Sequence, residues 1–229
     1  MAQKDNHQRG HRQRMKEKVK LRGISALSDH ELLELLLYPL RPRIDTKPIV
    51  KALFAKFDSF AGMLYGTEAD WHSVKGIGTE TALHFQLIAE ILDRLSFDRI
   101  KDRNIISHWQ NLEFYCIQKL SFESTETFMM ILLDNQNRVI DNVILGSGTV
   151  NQMIIYPREV LRQALAYNAV SVILVHNHPS QDKRPSPQDI EMTAILKNTL
   201  LAAKITLHDH VIVAGGSCIS LRNNGLIPD

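Results

Sequence analysis

Apolar residues recur along this chain at two different spacings. From Asp29 to Leu37 the run DHELLELLL carries leucines at helical spacing, with Ser28 before it as an N-cap and Pro39 after it as a stop. Ile49–Phe57 and Thr81–Leu95 again place apolar positions three and four apart, the pattern of amphipathic helices. Beyond Asn104 the pattern changes. A helix over Trp109–Leu120 leads into apolar runs at Phe128–Leu133 and Arg138–Leu145, which flank the turn-forming DNQN and read as a hairpin. A helix over Pro157–Tyr167, with proline at its first position, a buried strand over Val170–Val175, a helix over Pro187–Ala203 and strands at Ile205–Ala214 and Ser217–Leu221 follow. This order predicts a mixed α+β chain: an all-helical N-terminal domain, then a mixed sheet flanked by helices.

With 229 residues, 44% hydrophobic and 23% charged, the chain has material for two small domains. The charged stretch Ser96–Asn104 marks the expected boundary, giving a basic arm over 1–22, a helical domain over 23–100 and a mixed domain over 105–229. The net charge of +2 is unevenly placed, since residues 1–22 carry eight Lys/Arg against two acids. Such an arm either tracks nucleic-acid phosphates or is a solvated, frayed terminus. In the helical domain, VKGIGTETA places Gly76 and Gly78 just ahead of a helix. This arrangement resembles a helix-hairpin-helix element, whose glycine turn aims backbone N–H groups at a phosphate, with Lys75 adding charge; a G-x-G turn also simply joins packed helices. No apolar run approaches the roughly 20 residues that span a bilayer, and the first residues lack a signal-peptide core, so a soluble, cytoplasmic protein without membrane contact is expected. Cys116 and Cys218 form no paired spacing, which argues against a disulfide framework or a thiolate zinc site.

The candidate chemistry lies in VHNHPSQDKRPSPQD, Val175–Asp189. His176 and His178, two apart at the end of SVILV, project to one side if the strand continues through Asn177. Pro179 and the polar residues after it turn the chain, and Ser186–Asp189 opens the next helix. Two imidazoles and one carboxylate with an open fourth position form the donor set of catalytic zinc. The competing reading is local: S-x-x-D is also a capping box, in which Ser186 and Asp189 serve only the helix N-terminus. Neither H-E-x-x-H nor the deaminase pair of H-x-E and P-C-x-x-C occurs.

The spacing H-x-H-P, six residues, S, two residues, D resembles the signature of JAMM, or MPN-plus, metalloprotease domains, and HNHPS is similar to the bacterial RadC family. GTV (Gly148–Val150), PREV (Pro157–Val160) and DHVIV (Asp209–Val213) support the likeness, and ELLELLL and KGIG extend it into the N-terminal half. The resemblance implies zinc held by His176, His178 and Asp189, Ser186 stabilising an oxyanion or positioning water, and Glu126 as general acid/base. It also implies hydrolysis of a peptide or isopeptide bond. The alternative it carries is a DNA-repair-associated protein that binds DNA through its N-terminal domain, with a structural or inert zinc domain. Two departures stand out: Gln181 follows HNHPS where relatives usually have glycine, and His208 occupies a position that is usually aliphatic. Strand alternation would put His208 and His210 on one face and Asp209 on the other, the three being structural or in support of the site.

Overall fold

The computed structural model describes residues 2–105, 107–148 and 155–227, with side chains from residue 10 onward. Of the GTV stretch, Thr149 and Val150 therefore lie outside the described residues. The chain divides into two compact units, Met1–Glu90 and Ile91–Asp229. The division falls inside a helix, because Ser96–Asp98 continue the turns begun at Thr79.

The first unit contains α1 (Ala2–Arg22), a short 3-10 turn, α2 (Asp29–Leu37), α3 (Lys47–Lys56), α4 (Phe60–Leu64), α5 (Glu68–His72) and the first part of α6 (Thr79–Asp98). Leu33, Leu37, Leu53, Met63, Trp71 and Phe85 form its core. The buried Trp71 indole N–H donates to the Met63 carbonyl at 2.7 Å, so its polar edge is satisfied. The frayed-terminus reading of the basic arm is corrected here: Ala2–Arg22 is a helix, and part of it is tied down. Met15 is buried. Arg12 donates to the carbonyls of Arg41, Pro42 and Ile44 at 2.5–2.7 Å, and Lys18 pairs with Glu31. Two of its cations thus already have partners within the unit. Helices α4 and α5, five residues each, were too short for periodicity to show.

The second unit contains α7 (Trp109–Leu120), β1 (Glu126–Leu133), β2 (Val139–Gly148), α8 (Pro157–Ala166), β3 (Ser171–Asn177), α9 (Pro187–Ala202), β4 (Thr206–Ala214) and β5 (Ser217–Ser220). The strands form one sheet in the order β2-β1-β3-β4-β5, antiparallel except for the parallel pair β3–β4. Met129, Ile131, Ile173, Val175, Val211 and Val213 face α7. Phe128, Met130, Leu132, Val172, Leu174 and Leu207 pack with α8 and α9 on the other face. Strand β3 is buried along its whole length, which is why SVILV reads as an unbroken apolar run. No helix among the described residues is long and apolar enough to cross a membrane.

Candidate metal centre

Strand parity builds the site. Phe128 pairs with His176 across β1 and β3, and the two rings stack 5.6 Å apart at 10°. His178 lies just past the end of β3 but keeps the ladder going, its N–H donating to the Val213 carbonyl at 2.9 Å. The extended path expected through Asn177 is therefore present, and both imidazoles turn to the α9 side. His176 Nε2 and His178 Nε2 come within 3.0 Å. Helix α9 brings Asp189 to the same point, with Oδ1 3.2 Å from His176 Nε2 and Oδ2 3.4 Å from His178 Nε2. Glu126, the first residue of β1, is two residues before Phe128 and shares its face. Its Oε1 lies 4.0 Å from His176 Nε2. Ligand atoms of these four residues lie within 4.8 Å of one another.

The separations fit a metal ion. Ligands bonded at about 2.0–2.1 Å in a tetrahedron stand roughly 3.3–3.4 Å apart, close to the His–His and His–Asp distances here. Glu126 stands farther out, where it can reach a group bound at the open position. His178 Nδ1 lies 2.8 Å from the Asp182 carbonyl. That carbonyl can only accept, so His178 carries a proton on Nδ1, and the neutral ring turns its Nε2 lone pair inward.

Electrostatics point the same way. Burial opposes ionisation of Asp189, but the imidazoles of His176 and His178 and the Ser186 hydroxyl hold its carboxyl well below the usual range. Asp189 raises the His178 imidazole above its ordinary value. Burial pushes Glu126 up, and the neighbouring Asp189 adds to the rise. Acceptors converging at this spacing need a cation between them, and a proton or a metal ion answers that need. The cluster opens on a cleft of about 510 Å3 lined by Glu126, His178, Asp182, Arg184, Ser186, Asp189 and Met192 among others.

The capping box of Ser186 and Asp189 is present, and it uses the oxygen that also faces His178. Asp189 Oδ2 accepts the Ser186 N–H and hydroxyl, both at 2.7 Å, while Ser186 Oγ accepts the Asp189 N–H at 3.1 Å. Oδ1 remains directed at His176.

Three residues contribute contacts that the spacing of the motif does not show. Asn177 points to the α7 side: its Oδ1 accepts the Thr127 N–H at 2.7 Å and its Nδ2 donates to the Glu123 and Thr125 carbonyls. It thereby pins the segment that carries Glu126. His210 on β4 and Thr193 on α9 sit behind His176, fully buried. The rotation of a helix against a strand brings them together, and only a three-dimensional packing shows it.

Two departures noted in the sequence acquire reasons. Gln181 has φ +63°, which accounts for glycine being usual there, and its Oε1 accepts the Gly215 N–H at 2.5 Å. His208 falls at a register break, Val172 pairing with Leu207 and Ile173 with Asp209. This bulge overturns the simple alternation of His208 and His210: Leu207 and His210 share the α9 side across it. Asp209 turns away, accepting from Ser220 Oγ and the Arg222 N–H.

Lys75, Gly76 and Gly78 lie in the first unit, in the turn before α6. Gly76 has φ +98°, and a Cβ there would stand 2.9 Å from Ile49 Cδ1, so conformation and packing both call for glycine. Its carbonyl accepts from Arg41 Nε and Nη2 at 3.2 and 2.9 Å.

A family model described as the RadC-like JAB domain matches residues 106–226, a span holding Glu126, both histidines, Ser186, Asp189 and the whole sheet. The match covers more than half of the chain, and it coincides with the unit whose β3–α9 junction gathers the candidate ligands. The chain belongs to the RadC family, with a JAB-type, MPN-like domain as its C-terminal unit.

Proposed function

We propose that this protein is a zinc metallohydrolase acting on peptide or isopeptide bonds, with His176, His178 and Asp189 as ligands. The observation that carries the reading is the convergence of His176 Nε2, His178 Nε2 and Asp189 Oδ1 at tetrahedral spacing, with the Glu126 carboxyl facing them. Zinc bound there would act as a Lewis acid toward a carbonyl oxygen and make water acidic near neutral pH. Glu126 takes a proton from the attacking water as its oxygen adds to the carbonyl carbon, then passes that proton to the amine nitrogen as the C–N bond breaks. Ser186, on the cleft wall, turns its hydroxyl from Asp189 Oδ2 to the developing oxyanion. The free thiols of Cys116 and Cys218 favour a reducing, cytoplasmic setting.

Metal analysis of the full chain should find about one zinc, lost in the His176→Ala/His178→Ala double variant while the fold persists. Glu126→Gln should keep the metal and lose cleavage in an isopeptide and peptide screen. A wild-type protein that takes up no metal would refute the reading.

A DNA-docking role for the first unit is favoured by one observation, the exposed Lys75 beside the positive-φ Gly76 at the start of α6. Deleting 1–22 would confuse its test, since Met15 is buried. Lys75→Glu is the cleaner change, and it should weaken salt-dependent DNA binding.

A further inference from the structure

We propose that His210 and Thr193 are positioning residues that set the ring tautomer of His176, leaving its Nε2 lone pair for a metal ion. The proposal rests on the metal-site reading above and adds to it two residues that touch no metal.

The direction of a chain of hydrogen bonds follows from its one atom that cannot donate. Thr193 Oγ1 lies 2.5 Å from the Asp189 backbone carbonyl. A contact of that length between two oxygens needs a hydrogen, and only the hydroxyl has one. The Thr193 proton is therefore committed to the carbonyl, and Oγ1 is left to accept. His210 Nδ1 is 2.6 Å from the same Oγ1, so it must carry the hydrogen of that bond. A neutral imidazole holds one N–H, so His210 Nε2 is an acceptor. It stands 2.8 Å from His176 Nδ1, which must then be the donor. His176 thus carries a proton on Nδ1, and in the neutral ring its Nε2, the atom facing His178 and Asp189, holds the lone pair.

Its place favours the neutral ring of His210: it is fully buried and lies against Phe128, with centroids 5.5 Å apart, and His176, at 4.8 Å. The chain begins and ends on candidate ligands. It runs from the Asp189 carbonyl on α9 through β4 to His176 on β3, tying the positions of two ligands together. His178 reaches the same tautomer by a separate route, through the Asp182 carbonyl. Outer contacts of this type typically change metal affinity by about 10–100-fold.

Thr193→Val tests the relay without touching a ligand. With no hydroxyl, His210 Nδ1–H loses its acceptor and the ring is free to present Nε2–H to His176, which favours the tautomer that cannot bind through Nε2. Competition with a chromophoric chelator should show zinc affinity of the full-length Thr193→Val protein falling about 10–100-fold. Thr193→Ser, which keeps the hydroxyl, should bind within about threefold of wild type, below that outer-contact range. Wild-type affinity in Thr193→Val, or an equal loss in Thr193→Ser, overturns the relay while leaving the metal site standing. Failure of the wild-type protein itself to take up zinc overturns both. Long-range 15N–1H spectra of the zinc-loaded wild type read the tautomers directly, whatever the variants' folding: protons on Nδ1 of both His176 and His210 are expected, and a proton on His210 Nε2 refutes the relay.

Discussion

Three helices among the described residues begin with the same device, and only one of them opens at the candidate site. Ser28 and Glu31 cap α2, Thr67 and Asp70 cap α5, and Ser186 and Asp189 cap α9. In each, one carboxylate oxygen accepts from the N-cap residue. The difference lies in what else the carboxylate meets. Glu31 takes Lys18 Nζ at 2.6 and 2.8 Å, and Asp70 Oδ1 takes Lys56 Nζ at 3.0 Å. Asp189 Oδ1 meets His176 Nε2 instead. A lysine brings its own positive charge and completes the group, whereas imidazoles with inward lone pairs leave the cluster in need of a cation. Capping and ligation are therefore not rivals. The cap positions a carboxylate, and its partners decide what it does.

The sharpest way to break that comparison is to remove the charge at two of the boxes. Asp189→Asn keeps an oxygen for the cap but should lower zinc affinity by more than about 100-fold, beyond what outer contacts usually contribute. Asp70→Asn should leave zinc binding unchanged. Equal behaviour of the two variants in a chelator competition would show that the partners of Asp189 do not matter.

Metal linkage gives the next largest effect. Free zinc at about 100 times its dissociation constant should stabilise the wild-type protein by about 2.7 kcal/mol, because only the folded chain presents the three donors together. A chelator should remove that increment in a thermal melt. Asp189→Asn should show less than about 0.4 kcal/mol of it and Asp70→Asn all of it.

Removing the cap hydroxyls separates the shared function from the particular one. Ser28→Ala, Thr67→Ala and Ser186→Ala should each cost about 1 kcal/mol, measured on metal-free protein by denaturant unfolding. Ser186→Ala alone should also weaken zinc binding, by roughly 10-fold, since Asp189 Oδ2 loses a donor that holds the carboxylate in place. If all three variants bind zinc like wild type, the cap on α9 does no more than start a helix.

Much of this arrangement is legible in the sequence because it is local. The period of two in SVILVHNH puts both histidines on one face, and S-x-x-D starts α9 with its carboxylate in the first turn. Sheet strands and most helices follow from apolar spacing in the same way. What escapes is whatever depends on contacts between elements distant in the chain. His210 meets Thr193 across 17 residues and His176 across 34, and no spacing rule links them. Asn177 looks like filler between two histidines until β1 is laid beside β3. The bulge at His208 defeats alternation because one extra residue reverses every side chain beyond it. The basic arm holds contacts that its charge pattern does not announce: Arg12 finds three carbonyls and Met15 a buried place.

The smallest expected effect tests whether the loop ahead of α9 adds anything to its cap. No loop of this kind precedes α2, where the cap follows a short 3-10 turn. Gln181 pays for its left-handed backbone, about 1 kcal/mol for a non-glycine residue, and recovers about 0.5–1.5 kcal/mol through its bond to the Gly215 N–H. Gln181→Gly relieves the first and loses the second, and the freer unfolded chain costs a further 0.4–1 kcal/mol or so. The net change in stability should lie between about zero and a destabilisation of about 1.5 kcal/mol. Zinc affinity should stay within about threefold of wild type, smaller than the usual effect of an outer contact, because His178 is held by the Asp182 and Val213 carbonyls and by the backbone N–H of residue 181, which glycine keeps, rather than by the Gln181 side chain. A larger loss of zinc binding would mean that the tether from Gln181 to Gly215 positions His178, and the loop would then join the cap as a part of what distinguishes α9 from α2 and α5.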